Sequence, residues 1–417
     1  MGSRGGGHPG VLPRARRGHR RTDFVKYLSE PPASAELVVI GGGVIGAATA
    51  FFAARAGLKP LLVEARPALC TLTTPVAAGA FRLQFDDLEE LTLVRESAEL
   101  FLNFREATGQ DEYDPRVRQQ GYLWLTTDER GAERQRALVA RLHEWGQGDV
   151  ELLPGDEVRR RFPYVGENVV QARWRAADGF LDTTQLTFGL VRGSGADVMV
   201  DCAATGFVVS GGRLTAVQTT KGVIPTDVAV IAAGPLSGPL AKAEGIELPI
   251  VTVRRQKLIL PEVPEVPPRA PMTIDEDTGV HWRPALAGAW LLFTDPATPA
   301  SPPADNVPVD PAFAFQLLDP SSPFSVARIV PFWRDVWDRG AAHWLLQAGQ
   351  YTMTPDNRPL IGQLLIEGLW VNTGYSGHGI MLGPAGGRLL VDLLTGKADE
   401  NPFAPGRAFE RRRPPTL

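Results

Sequence analysis

The sequence predicts an α/β with α+β fold, in which a Rossmann-like unit is interleaved with a largely antiparallel sheet. Three observations predict it. Residues Leu37 to Glu64 read as a strand, a glycine turn, an alanine-rich helix and a second strand that ends in an acid. Two later apolar runs end in glycine, Val228-Ala229-Val230-Ile231-Ala232-Ala233-Gly234 and Trp370-Val371-Asn372-Thr373-Gly374, as buried strands of a parallel sheet do. Residues 250 to 345 are rich in proline, tryptophan and β-formers, which fits an antiparallel sheet with loops.

At 417 residues the chain is long enough for two or three domains. Its formal charge of −4 gives no electrostatic reason to expect nucleic acid as a partner. The two cysteines, Cys70 and Cys202, are far apart and lack metal-ligand spacing, so no metal site is expected. Residues 1–35 are dominated by glycine, proline and arginine and read as a disordered basic tail. The tail is neither amphipathic nor serine-rich, and no apolar run precedes residue 36, so neither an organelle-targeting peptide nor a secretory signal is expected. The expected location is cytoplasmic.

In Ile40-Gly41-Gly42-Gly43-Val44-Ile45-Gly46, Gly41 permits a tight turn, Gly43 lets backbone N–H groups approach a pyrophosphate, and Gly46 lets the helix pack on the sheet. The helix N-terminus then faces the phosphates. Glu64, eighteen residues after Gly46, suits ribose hydroxyls and disfavours a 2′-phosphate. The apolar stretch from Leu37 to Ala56 has the length of a membrane helix, but three consecutive glycines and Arg55 fit a βαβ unit better, and no membrane span is expected.

Between Asp86 and Ala107 apolar residues recur at helical spacing; Gly121 to Thr127 reads as a strand and residues 129 to 145 as a charged surface helix. Short strands follow over Asp197 to Asp201, Gly206 to Val209, Leu214 to Thr219 and Asp227 to Ala232, with Gly211-Gly212 as a hairpin signal. The proline-rich stretch from Thr298 to Pro311 reads as a surface loop. Gly377-His378-Gly379 opens a helix through Leu394 that stops at Gly396. No repeat or heptad pattern is present.

Three segments together resemble the D-amino-acid oxidase (DAO) superfamily of FAD-dependent oxidoreductases, in its sarcosine oxidase and dimethylglycine dehydrogenase branch. They are Val38 to Glu64, Gly349-Gln350-Tyr351-Thr352-Met353-Thr354-Pro355-Asp356-Asn357-Arg358-Pro359-Leu360-Ile361-Gly362, and Gly374-Tyr375-Ser376-Gly377-His378-Gly379-Ile380-Met381. The resemblance implies a Rossmann-like FAD-binding domain interleaved with an antiparallel-sheet substrate domain that covers the isoalloxazine. The expected division is 36–85, 150–245 and 345–400 for the first, 86–149 and 246–344 for the second, and a C-terminal tail over 401–417. FAD is expected to be lined by Gly41, Gly42, Gly43, Val44, Ile45, Gly46, Glu64, Ala65, Arg66, Thr73, Thr74, Ala204, Ala233, Gly234, Gly374, Ser376, Gly377, His378, Gly379 and Ile380. Some relatives attach flavin through a cysteine at the place of Gly349, or through a histidine in the loop that here reads Thr74 to Gly79. Neither is present, so the FAD is expected to be non-covalent.

The implied reaction transfers a hydride equivalent to FAD from the carbon beside a substrate nitrogen, giving an imine. Tyr351, where the D-amino-acid and glycine oxidase branches carry an arginine, points to a secondary or tertiary amino acid such as sarcosine, dimethylglycine or proline; a core tyrosine satisfying a structural hydrogen bond is the alternative. Met381 stands where monomeric sarcosine oxidases have a lysine for the carboxylate. Arg82 and Arg283 are the candidates to replace that charge, or else are structural pairs. His378 either shapes the turn or tunes the flavin, with no acidic partner visible in sequence, and Asp356 reads as a turn-former. Oxidase relatives use a lysine on a substrate-domain strand for oxygen, and Gly288 to Phe293 offers none. A dehydrogenase or slow oxidase is therefore expected, with oxygen, a quinone or an electron-transfer protein as acceptor, in an assembly of unspecified order. Two other functions fit parts of the sequence: a non-catalytic FAD-binding subunit or assembly factor, and an NAD-linked dehydrogenase.

Overall fold

The computed structural model describes residues 25–340 and 343–410. A six-stranded sheet lies in the spatial order Leu360–Gln363, Leu369–Thr373, Ala229–Ile231, Leu37–Ile40, Pro60–Val63 and Asp197–Met199. Four of its pairings are parallel, and Leu360–Gln363 runs antiparallel at one edge. Every residue of Leu37–Ile40, Pro60–Val63 and Ala229–Ile231 is buried, which is why these runs are apolar without alternation.

Leu37, Val39 and Leu62 point to one layer, where helices Val44–Arg55, Thr183–Ser194 and Gly379–Leu394 pack together and Leu88–Leu102 packs on the last. Val38, Ile40 and Leu61 point to the other, against Phe207, Leu214 and Ile224 of a three-stranded antiparallel sheet, Ala204–Ser210, Arg213–Thr219 and Gly222–Pro225. Gly211 and Gly212 both have positive φ and make the hairpin turn their sequence predicts. The third strand, Gly222–Pro225, is short and mostly exposed, and gave no sequence pattern. The expected helix over 86–107 is interrupted at Asn103, giving Leu88–Leu102 and Phe104–Thr108.

An eight-stranded sheet forms the second half, in the order Leu345–Met353, Val251–Leu260, Gly288–Phe293, Val280–Ala285, Met272–Asp275, Tyr122–Thr126, Gln171–Arg175 and Glu151–Pro154. One face is sealed by helices Ala312–Leu318 and Phe332–Asp338, which bring Leu317, Trp333 and Val336 against Trp282 and Leu291. Composition predicted the sheet between residues 250 and 345 but not these two helices. The opposite face carries His281, Arg283 and Trp290, alternate to the buried Trp282 and Leu291, and turns toward the nucleotide-binding half.

The division between the halves differs from the expected one. Glu151–Pro154, Gln171–Arg175 and Leu345–Met353 all join the eight-stranded sheet. Leu88–Leu102 packs instead on helix Gly379–Leu394. Strand partners distant in sequence leave no local trace, and the same alternation serves either sheet. Both expected tails also contain held segments. The Val198 N–H donates to the Lys26 carbonyl and the Leu28 N–H to that of Val198, so part of residues 25–35 pairs with the edge of the six-stranded sheet. The rest of the basic tail, residues 1–24, lies outside the described residues. At the other end Phe403 is buried, and Arg407 donates to both carboxylate oxygens of Asp356 at 2.8 Å. Among the described residues, no helix is long and apolar enough to cross a membrane.

Asp356 also accepts from the Arg358 N–H and so is the turn residue its sequence context suggests. Its pair with Arg407 is 4% and 10% exposed on the two side chains. Arg407→Ala is expected to lower unfolding stability by about 3 kcal/mol, because it strands a largely buried carboxylate; urea denaturation of the FAD-loaded protein measures this.

Candidate active site

The first glycine turn holds its shape by backbone contact. Gly41 has φ +119°, and a Cβ on Gly46 would lie 1.8 Å from the Gly41 carbonyl oxygen, so the helix starts directly against the turn. The carboxylate of Glu64 accepts from the N–H of Gly42 at 2.6 Å and of Arg66 at 2.9 Å, which fixes the acid at the mouth of the second strand. Thr74 Oγ1 accepts from the Val44 N–H at 3.2 Å, tying the loop after that strand to the helix start.

A cavity of about 420 Å³ runs from this turn to the second glycine-rich turn. Of the residues expected to hold FAD, Gly41, Gly42, Gly43, Val44, Ile45, Glu64, Ala65, Arg66, Thr73, Thr74, Ala204, Ala233, Gly234, Gly374, Gly377, Gly379 and Ile380 line this cavity. Gly46 sits beneath the turn and outside the lining, while Ser376 and His378 face a second cavity of about 90 Å³. Cys70, Leu72, Cys202, Leu236 and Tyr375 also line the large cavity and were not foreseen. Most of these follow strand ends, the position from which open α/β sheets contact ligands, and that was the available signal.

Two backbone turns that tolerate no side chain, each opening a helix onto one elongated cavity, fit an extended dinucleotide with its diphosphate at the first turn. At the second turn Gly377 has φ +98°, and a Cβ there would come within 2.6 Å of the Tyr351 ring. The ring of Tyr351 is thus packed on bare backbone. Gly349 and the loop Thr74 to Gly79 offer no side chain that forms a covalent flavin link.

The two cavities share Ala77, Tyr351, Gly377 and Ile380. The smaller is walled by Trp124, Met272, Ile274, Met353 and Met381, and its polar members include Arg82, Tyr122, His281, Thr294, Ser376 and His378. Arg82 is 3% exposed; its guanidinium donates to the Gln84 carbonyl at 3.0 Å and lies 4.3 Å over the Phe85 ring and 5.3 Å from that of Trp124. Burial pulls its pKa down to about 10, which leaves it charged at neutral pH. The strand segment around it is pinned by Asp178, which accepts from the Leu83 N–H, the Gln84 amide and Arg175. Sequence gave no sign of this support, because Asp178 lies in a turn ordinary in composition.

Arg283 is not brought to the cavity. Its Nε donates to the Ala78 carbonyl at 2.8 Å, and the guanidinium lies 4.4 Å over Phe180 and 4.0 Å over Trp290. It joins the sheet to the loop before Arg82. His378 Nε2 lies 3.5 Å from Arg82 Nη2, and Nδ1 lies 3.7 Å from Glu90 Oε1, the acidic partner that sequence did not reveal.

A lysine also reaches this face of the sheet, from the strand next to Gly288–Phe293: Lys257 is paired with Leu292 and is 1% exposed. Its ammonium donates to the Pro75 carbonyl at 3.3 Å and lies 3.9 Å over Trp290, and it lines neither cavity. Burial, and then the charge of Arg283, bring its pKa down to about 7. Arg255, on the same face of that strand, lies 5.9 Å from the Tyr351 ring, while Arg254 turns to Asp310.

The fold and this pair of cavities define a flavin-dependent oxidoreductase. Residues 36–393 match the family described as FAD dependent oxidoreductase (DAO), and the chain belongs to that family. It is 29% identical over 385 residues to glycine oxidase of Pseudomonas aeruginosa, covering 89% of this chain and 99% of that protein. It is 24% identical over 398 residues to mitochondrial sarcosine dehydrogenase of Mus musculus, covering 90% of this chain and 41% of that protein. The fold superposes on L-proline dehydrogenase of P. horikoshii with a TM-score of 0.77 at 23% identity, covering 90% of this chain and 97% of that one. The chain is accordingly an FAD-dependent enzyme.

Gly377→Ala is expected to weaken FAD retention at least tenfold in an equilibrium dialysis measurement, since both the positive φ and the Tyr351 ring oppose a Cβ. Lys257 carries a depressed pKa, so the folded state releases its proton near pH 7 while the unfolded chain keeps it to the ordinary lysine range. Stability from this group is therefore lowest below pH 7 and rises as pH climbs above it. Lys257→Met is expected to raise the thermal midpoint most at pH 6 and progressively less toward pH 9.

Proposed function

We propose that this enzyme oxidises the C–N bond of a small secondary or tertiary amino acid, of the sarcosine, dimethylglycine or proline kind, to an imine that water then hydrolyses. The observation that carries the reading is the junction of the two cavities at Ala77, Tyr351, Gly377 and Ile380, with the buried cation Arg82 in the smaller one. FAD, when bound, supplies the hydride acceptor. Arg82 pairs with the substrate carboxylate in two parallel N–H···O bonds. Trp124, Met272 and Met353 pack around its carbon atoms and exclude water, which strengthens that pairing. Tyr351, at the junction, sets how far the substrate advances toward the large cavity. The relatives named glycine oxidase and sarcosine dehydrogenase support amino-acid C–N oxidation in general, and Tyr351 is what favours the substituted amine.

One observation favours a second reading, a flavin-binding subunit without amine turnover: Met381 lines the small cavity where the resemblance leads one to expect a lysine. Arg82 in the same cavity weighs against it. The acceptor of the electrons is proposed to be a quinone or an electron-transfer protein, with oxygen reacting slowly, because the ammonium of Lys257 is engaged by Pro75 and Trp290 away from the cavity.

Anaerobic mixing of the FAD-loaded enzyme with a panel of N-alkyl and D-amino acids tests the assignment. Bleaching of the flavin by sarcosine, dimethylglycine or proline, followed by slower recolouring in air, is the expected outcome. Bleaching by none of the panel would establish the second reading. Arg82→Met is expected to raise the apparent substrate Kd about 100-fold, the loss of a charge-assisted pair being about 3 kcal/mol, while FAD stays bound.

A further inference from the structure

Resting on that proposed function, we infer that His378 and Glu90 form a proton-accepting dyad that converts the bound substrate from ammonium to free amine. An amino acid arrives with its nitrogen protonated, and that nitrogen has no lone pair to assist departure of the neighbouring hydride. A proton must therefore leave first, and a group in the cavity has to take it.

The geometry selects His378. It lines the small cavity beside Arg82, and its ring is held by an edge contact with Phe85 at 5.1 Å between centroids. A guanidinium only donates, so Nε2, 3.5 Å from Arg82 Nη2, faces it with its lone pair. The ring proton then sits on Nδ1, directed at Glu90 Oε1 3.7 Å away. Glu90 occupies the third position of helix Leu88–Leu102, where a glutamate ordinarily folds back to cap the helix. Instead Oε1 is buried without a hydrogen-bond partner among the described residues, and so is His378 Nδ1. A small movement closes both deficits at once.

Substrate binding sets the ladder in motion. A carboxylate on Arg82 draws its N–H away from Nε2 and brings the substrate nitrogen, one carbon away, next to the lone pair that is released. The N–H bond of the ammonium breaks, the Nε2–H bond forms, the electron pair of the broken bond stays on the substrate nitrogen, and Glu90 compensates the new imidazolium charge. The other titratable groups facing His378 stay neutral: burial lowers His281 to about 4 and raises Tyr122 and Tyr351. Nearby, Asp87 lies 3.6 Å from Arg358.

Two measurements on the FAD-loaded enzyme decide this. Long-range ¹⁵N–¹H NMR of the oxidised, substrate-free protein is expected to show His378 with its proton on Nδ1, and Glu90→Gln is expected to shift that resonance. Anaerobic flavin reduction by sarcosine is then followed against pH in the wild type, His378→Asn and Glu90→Gln. The acid limb of the rate over Kd is expected to end well below the pKa titrated for free sarcosine in the wild type, and at that pKa in His378→Asn, with Glu90→Gln between them. At pH 7 the histidine variant is expected to be roughly 100-fold slower, with FAD stoichiometry unchanged in both variants. A proton on Nε2 in the wild type, or coincident limbs in the three proteins, overturns the dyad. Failure of every amine to bleach the flavin refutes the proposed function instead, and the tautomer then decides the Glu90–His378 pairing by itself.

Discussion

Everything at the centre of this molecule depends on two helices that touch through their backbones. Val44–Arg55 and Gly379–Leu394 each open from a glycine turn, and a Cβ on Gly387 would lie 2.9 Å from the Ala48 carbonyl carbon, with one on Gly383 2.5 Å from Ile45. At that separation the two helix starts are neighbours, and both turns face one cavity. The dinucleotide site is thus a consequence of helix packing as much as of the first glycine motif. Larger side chains at these glycines would push the second turn, and His378 with it, away from the first.

The smaller cavity has a different logic. Its walls come from the sheet and its charge from the loop between Ala80–Phe81 and Leu88–Leu102, so neither half builds it without the other. Buried cations crowd this interface: Arg82, Arg173, Lys257 and Arg283 all lie over aromatic rings. Ring faces and carbonyl oxygens stabilise such charges in part, and burial, the largest cause in each case, depresses the pKa values of Arg82, Lys257 and Arg283.

The two arginines that looked equivalent in sequence show how proximity decides role. Arg82 and Arg283 both sit in apolar surroundings and both face the interface. Arg283 is held by Ala78 and sandwiched by Phe180 and Trp290, whereas the guanidinium of Arg82 reaches the cavity beside His378. Strand alternation placed Arg283 on the face of the sheet turned toward the nucleotide-binding half, but its side chain ends in a brace between loop and sheet, whereas that of Arg82 lines the smaller cavity. No spacing rule carries that information.

Local chemistry was enough to determine the Rossmann-like unit, its glycine turns, the acid Glu64 at the end of the second strand and most of the large cavity's lining, because each of these is a short-range matter of φ angles, apolar runs and helix starts. The family motifs around Tyr351 and His378 were legible for the same reason. Only the tertiary structure decided which strands join which sheet, that Glu90 stands behind His378, that Asp178 pins the segment of Arg82, and that Lys257 reaches the sheet face from the strand beside the one expected to carry a lysine. These are contacts between residues tens to hundreds of positions apart, and burial, not sequence pattern, brings their charges together.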